Sequence, residues 1–218
     1  MQNVSSNRFK HTTFEVQTIN SIRMKKIAIT FLTFAFIAIS SVAQENYKIN
    51  TEISSIEWIG RKVTGQHNGV ILLKNGSYTF ENGLILKGEL TIDMQTIKIN
   101  DIEDKEQNKK LQNHLNSPDF FAVKDHPTAK LSIIKSEKVG TDKLKVFADL
   151  EIKGISKRIE FEVTMLKEGT KMVAVGEVNI NRTEYDIRYG SGSFFDNLGD
   201  KAIKDQFTIK FKVAAIQQ

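Results

Sequence analysis

The strongest constraint in this chain is an alternation of apolar and polar residues with a period of two. Over residues 84–94 the even positions read Leu84, Leu86, Gly88, Leu90, Ile92 and Met94, with Lys87, Glu89, Thr91 and Asp93 between them. Ile159, Phe161, Val163 and Met165 alternate with Arg158, Glu160, Glu162 and Thr164. Phe207, Ile209, Phe211 and Val213 alternate with Gln206, Thr208, Lys210 and Lys212. Leu144, Val146, Ala148, Leu150 and Ile152 make a further face, as do Met172, Ala174, Gly176, Val178 and Ile180. Successive side chains of an extended chain point to opposite sides. Each run therefore gives a strand with one dry and one wet face, the pattern of antiparallel sheets. Weaker strand patterns cover residues 53–62, 70–80 and 129–139. The Asn-Gly pairs at Asn75-Gly76 and Asn82-Gly83 read as hairpin turns, and so do the short polar stretches 140–142, 153–156 and 168–170. Eight strands in meander order predict an all-β fold, an antiparallel eight-stranded barrel, because closure removes exposed sheet edges. A two-sheet sandwich is the alternative.

Two segments break the alternation. Residues 104–115 are rich in Glu, Gln, Lys and Asn, with Leu111 and Leu115 at helical spacing. Asp101 or Asp104 is the candidate cap of this short helix, Asn116 the candidate left-handed exit, and Pro118 the stop. Phe120 and Phe121 follow at once. Residues 189–202, with their glycines and the pair Phe194-Phe195, read as a loop before the last strand and carry no phosphate-loop pattern.

The N-terminus has a different character. Met24-Lys25-Lys26 precedes an apolar run of 13 residues, 27–39, and the small-residue exit Ser40-Ser41-Val42-Ala43. A membrane span needs about 20 apolar residues, so the run reads as a secretory signal cleaved after Ala43. The expected division is an N-terminal extension and signal peptide at 1–43 and one folded domain at 44–218, with Met24 the expected start of translation. Removing the leader leaves 26 basic against 25 acidic side chains, so the high pI belongs to the leader and is no argument for nucleic acid. There is no cysteine, hence neither a disulfide nor an acylated cysteine, and the domain is expected to be periplasmic or secreted.

The dry faces carry small residues near their middles: Gly88, Ala148, and Ala174 with Gly176. An eight-stranded barrel is either filled by its own side chains or holds one small guest. Small residues fit a hollow interior, whose guest would be a hydrocarbon chain, and they fit equally a filled taper. Phe120-Phe121 and Phe194-Phe195 are placed to cover an end of such a barrel or to plug its core. No pair among His67, His114 and His126 has a metal-ligand spacing, and neither a nucleophile elbow nor a catalytic carboxylate pair stands out, so no enzyme, metal or cofactor is predicted.

Several stretches resemble the YceI-like family. They are L-x-x-H-L-x-S-x-D-F-F (Leu111, His114, Leu115, Ser117, Asp119, Phe120, Phe121), His126-Pro127-x-Ala129, the run 150–157, I-N-R-T-E-Y-D-I at 180–187, and Ile203-x-Asp205. S-x-I-x-W at 54–58 and G-Q-H-N-G at 65–69 are similar too, although Val70 follows where the family often has Phe in a Gly-x-Phe turn. The resemblance implies a lipocalin-like barrel extended by a helix, holding a polyisoprenoid or similar long amphiphile in an apolar tunnel without reaction. On that reading the candidate ligand contacts are Trp58, Leu90, Val146, Ala148, Phe161 and Gly176 along the interior. Around the ends they are Phe120, Phe121, Tyr185, Tyr189, Phe194 and Phe195, with His114 and Arg182 as polar groups. Arg182 either receives a phosphate headgroup, which suits its bidentate fork, or pairs with Glu184, Asp186 or Asp205. His114 and Tyr189 carry the same choice between headgroup and local bond. The expected partner is an isoprenoid or fatty-chain lipid, with transient membrane contact and a homodimer both compatible. The rival readings are an isoprenoid-quinone carrier and a packed structural barrel that binds a protein.

Overall fold

The computed structural model describes residues 44–218. The signal peptide and the start at Met24 lie outside the described residues. Eight strands run β1 (Glu45–Lys62), β2 (Gly65–Glu81), β3 (Leu84–Ile99), β4 (Thr128–Lys138), β5 (Lys143–Ile152), β6 (Ile155–Glu168), β7 (Lys171–Asn181) and β8 (Ile203–Gln217). One helix, α1 (Lys105–Asn116), interrupts the meander between β3 and β4. Each strand pairs antiparallel with the next, and β8 returns to β1, so the sheet closes on itself. Period-two burial holds along the walls, most cleanly in β5, where Leu144, Val146, Ala148, Leu150 and Ile152 are all buried. The sandwich alternative is thereby set aside.

Closure fixes which connections share an end. The β1–β2, β3–β4, β5–β6 and β7–β8 connections lie at one end, with α1 and both phenylalanine pairs. The other end carries the remaining turns, and there Tyr47 stacks on Tyr78 at 5.2 Å and meets Phe80 edge-on at 6.3 Å. The Tyr47 hydroxyl donates to Glu45 Oε2 at 2.8 Å, and Lys167 pairs with the same carboxylate at 2.9 Å.

Two tight turns follow the sequence closely. Asn82-Gly83 and Lys153-Gly154 both place two successive residues at positive φ, the left-handed geometry whose twist suits a two-residue hairpin. Asn75-Gly76 does not turn. It lies inside β2 just past a register shift between Leu73 and Asn75, and a Cβ on Gly76 would come within 2.9 Å of both Glu89 O and Ile49 Cγ1. That glycine permits close approach of neighbouring strands at a bulge, a role a turn-propensity argument cannot separate from a hairpin.

The strands bend at such bulges, and side chains repair the ladder there. Between Asn50 and Ser55 the β1–β8 register slips, and Ser54 Oγ accepts from the Ala214 amide at 3.0 Å while donating to Asn50 O at 2.6 Å. In β3 Thr96 Oγ1 accepts from the Leu72 amide and donates to Asp93 O. The first bulge hides the true start of β1 at Glu45, eight residues before the alternation becomes legible.

Gly69 is the tightest point. It faces Trp58 across the β1–β2 pair, and the indole passes over it to donate to Lys98 O on β3 at 3.1 Å. A Cβ here would lie 1.7 Å from that oxygen. Gly69→Ala is expected to cost about 2–3 kcal/mol, because the clash is with backbone and cannot be relieved by a rotamer change. Equilibrium urea unfolding checks it, with the midpoint urea concentration falling and the m-value unchanged.

Candidate functional site

The alternation that builds the wall also builds its lining. Inward residues of all eight strands surround a cavity of about 280 Å³. Trp58, Leu90, Val146 and Phe161 line it, as do Ile92, Val178 and Ile209. Phe161 meets Phe211 edge-on at 5.7 Å within this wall. Phe207, Ile209, Phe211 and Val213 on β8 all contribute, and the six residue steps of about 3.3 Å from first to last make the space roughly 20 Å long along that strand. The exposed residues Arg61, Lys62 and Lys204 belong to the same wall, so the cavity reaches the surface at the α1 end. Among the described residues no Asp or Glu is part of the lining.

At that end the helix delivers its rings. Asp104 caps α1 by accepting from the Gln107 amide at 2.8 Å. Asp101 does not cap, because it accepts instead from the Asn68 amide and from His67. The exit is not left-handed at Asn116. Ser117 closes the helix in extended geometry, its amide and hydroxyl both donating to His114 O, and the left-handed residue is Ala122 further on. This tight reversal places Phe120 and Phe121 over the barrel, where both line the cavity beside Leu111 and Leu115. The His114 ring stands edge-on to Phe120 at 5.2 Å and to Tyr189 at 4.3 Å. It thus ties the helix to the β7–β8 connection through aromatic contact rather than facing the cavity.

Arg182 is 3 % exposed, and each of its three guanidinium nitrogens donates to a backbone carbonyl. Its Nε donates to Lys204 O at 3.0 Å, Nη1 to Ile187 O at 2.7 Å and Nη2 to Ile203 O at 3.0 Å. Asp205 lies 3.7 Å from Nη2. Burial lowers its pKa and the Asp205 charge partly restores it. The guanidinium borders the cavity but holds the two ends of the β7–β8 connection together. Tyr185, in the 3-10 turn Arg182–Tyr185, is buried outside the lining, and desolvation pushes its phenol up to about 12. Among the described residues its hydroxyl has no hydrogen-bond partner.

Of the four small residues on the dry faces, Ala174 lines the space and the other three do not. Ala148 is fully covered and is not part of the lining. A Cβ on Gly176 would lie 2.6 Å from Phe211 Cζ, and one on Gly88 2.7 Å from Tyr78 Cβ. These glycines let large side chains of the paired strand cross above them, whereas the hollow lies between the larger inward residues. Phe194 and Phe195 do not cover the mouth. They are half exposed on its rim, with the Arg188 guanidinium 4.7 Å over the Phe194 ring. The cations Arg61, Lys62 and Lys204 escaped the sequence argument, because positions at strand ends look like ordinary solvated charges.

His67, also in the lining, meets Asp101 at 2.9 Å. Partial burial raises the Asp101 pKa, but the Asn68 amide and His67 outweigh it and hold the group below its ordinary value of 3.8. A depressed carboxylate stabilises the fold above its unfolded pKa, and that increment is lost as pH falls through the lower folded value. Asp101→Asn is therefore expected to be less stable than wild type at neutral pH, with the difference shrinking below about pH 4. Melting temperatures taken from pH 7 down to pH 3 check it. Among the described residues no three His, Asp or Glu side chains are grouped to hold a metal ion.

A closed antiparallel barrel with an apolar interior, one helix beside its mouth and an aromatic cluster over that end defines a lipocalin-like architecture. The family model described as YceI-like domain matches residues 47–215, and the chain belongs to that family. Among solved structures it is similar to Burkholderia cenocepacia BcnA, with a TM-score of 0.59 and 21 % identity over 76 % of this chain and 98 % of that one. It is also similar to a polyisoprenoid binding domain from Saccharophagus degradans, with a TM-score of 0.58 and 15 % identity over 79 % and 98 %. The Campylobacter jejuni YCEI protein matches with a TM-score of 0.50 and 19 % identity over 85 % and 90 %. No curated protein matches.

Proposed function

We propose that this protein binds a long apolar chain, of polyisoprenoid or fatty type, and shelters it from water without reacting with it. The observation that carries this reading is the 280 Å³ cavity, walled by aliphatic and aromatic side chains and reaching the surface beside α1. The Saccharophagus degradans relative, described as polyisoprenoid binding, supports it. The driving force is apolar burial, about 0.8 kcal/mol for each methylene removed from water before the costs of association. The cationic mouth accommodates the head. The apolar leader segment supports export, which puts the protein in the periplasm or outside the cell.

Trp58 is the single tryptophan and lines the cavity, so its emission reports occupancy. Titration with geraniol, farnesol and geranylgeraniol is expected to show affinity rising about tenfold for each added isoprene unit until the cavity is full. Flat affinity across the series, or no spectral response to any chain, would refute the reading. Native mass spectrometry of the purified protein with solvent extraction identifies a resident guest. An ultraviolet chromophore in that extract would move the assignment to a quinone.

A further inference from the structure

The exposed aromatic side chains among the described residues are Tyr189, Phe194 and Phe195, at 48, 46 and 50 % exposure, and all lie on the β7–β8 connection at the cavity mouth. Val63, 58 % exposed on the β1–β2 turn, adjoins the same connection, since its amide donates to Ala202 O at 3.2 Å. Their exposure is held in place. The Phe194 and Phe195 amides both donate to the carbonyl of the buried Ser191, and Ser193 Oγ donates to Asp205 Oδ2 at 2.5 Å. The turn thus keeps two adjacent rings in solvent, although a lipid cavity with apolar room lies alongside. Cations stand among them: Arg188 over Phe194, and Lys62 and Lys204 in the mouth itself. Two neighbouring carboxylates have charge partners, Asp186 in Arg188 at 3.0 Å and Asp205 in Arg182 at 3.7 Å with a further hydrogen bond from Ser193, while Asp196 and Asp200 remain.

We propose that this rim is a membrane-docking surface, on which Phe194, Phe195 and Val63 enter the headgroup region of a bilayer and set the mouth against it. Aromatic rings favour that interface, and basic residues beside them meet anionic headgroups. The occupant is a bilayer because the patch adjoins an apolar cavity, with Tyr189 6.4 Å from the lining ring of Phe120, and that lining bears cations and no carboxylate, so a guest crosses from membrane to barrel without traversing water. The purpose of docking rests on the lipid-binding reading, but its geometry does not.

The test is co-sedimentation of wild type and the Phe194→Ser/Phe195→Ser variant with vesicles of phosphatidylcholine, alone and mixed with phosphatidylglycerol. Both rings are exposed and outside the cavity lining, so the variant is expected to keep its melting temperature and its farnesol affinity by Trp58 emission. Its vesicle partitioning should fall by about tenfold or more, because two buried rings carry most of the apolar contact. Phosphatidylglycerol should strengthen wild-type binding a few-fold, on the order expected for two or three rim cations offset by Asp196 and Asp200. Wild type that ignores both vesicles, or a variant that binds them equally well, overturns the proposal. So does a wild-type dimer that the double substitution dissociates with no vesicle binding, which would make the patch a contact between copies. Failed farnesol binding with intact docking counts against the cavity assignment and leaves the docking surface standing.

Discussion

Arg182→Met is expected to destabilise the protein by about 3–5 kcal/mol, the range for removing one member of a buried, hydrogen-bonded charge cluster. Three carbonyls, of Ile187, Ile203 and Lys204, lose their donor together, and Asp205 keeps a charge whose nearest cation is gone. Each buried acceptor left without a partner costs about 1–3 kcal/mol, and the losses overlap because the three share one site. For a domain of this size that is a fall in Tm of about 10 °C. Arg182→Lys should lie between, since one ammonium cannot reproduce three directed N–H donors. Thermal melts of the three proteins decide the matter. A methionine variant with wild-type stability and a selective loss of binding to polyprenyl phosphate would show instead that the guanidinium serves a headgroup.

Val178→Trp is expected to abolish chain binding, weakening it about a hundredfold or more, with a stability change of about 1 kcal/mol or less. Val178 lines the cavity and is only half-buried, so the indole enters existing space rather than displacing packed atoms. In a filled barrel the same substitution overpacks the core and costs about 1–3 kcal/mol. Calorimetric titration with farnesol and a parallel melt separate the two cases. Ala148 would be the wrong place for this experiment: it is fully covered, and a ring there collides with the wall.

Much of the fold was legible because period two survives without tertiary context. The alternation at 144–152 and 203–213 marks β5 and β8, and Asn82-Gly83 and Lys153-Gly154 mark the β2–β3 and β5–β6 hairpins, through side-chain direction and local φ preference alone. Asn75-Gly76 failed for the opposite reason, since its glycine answers to Glu89 and Ile49, which approach from other strands. At the site, Trp58, Phe120, Phe121 and Phe161 reach the cavity as their faces require, whereas His114 and Tyr189 turn toward each other, and Phe194 and Phe195 turn outward. Those choices are made by contacts between the helix and a loop more than seventy residues apart, which no local pattern encodes.

The sequence by itself determined the eight strands, which face of each is dry, the helix and its stop at Pro118, and the absence of disulfide chemistry. These are properties of one residue and its near neighbours. Only the tertiary structure decided that the interior is hollow, that Gly88 and Gly176 yield their space to Tyr78 and Phe211, and that Arg182 clamps carbonyls. The physical reason is closure. Whether a barrel's dry faces meet or leave a gap depends on volumes summed across all eight strands, and whether a cation is free depends on which distant carbonyls the closed chain brings to it.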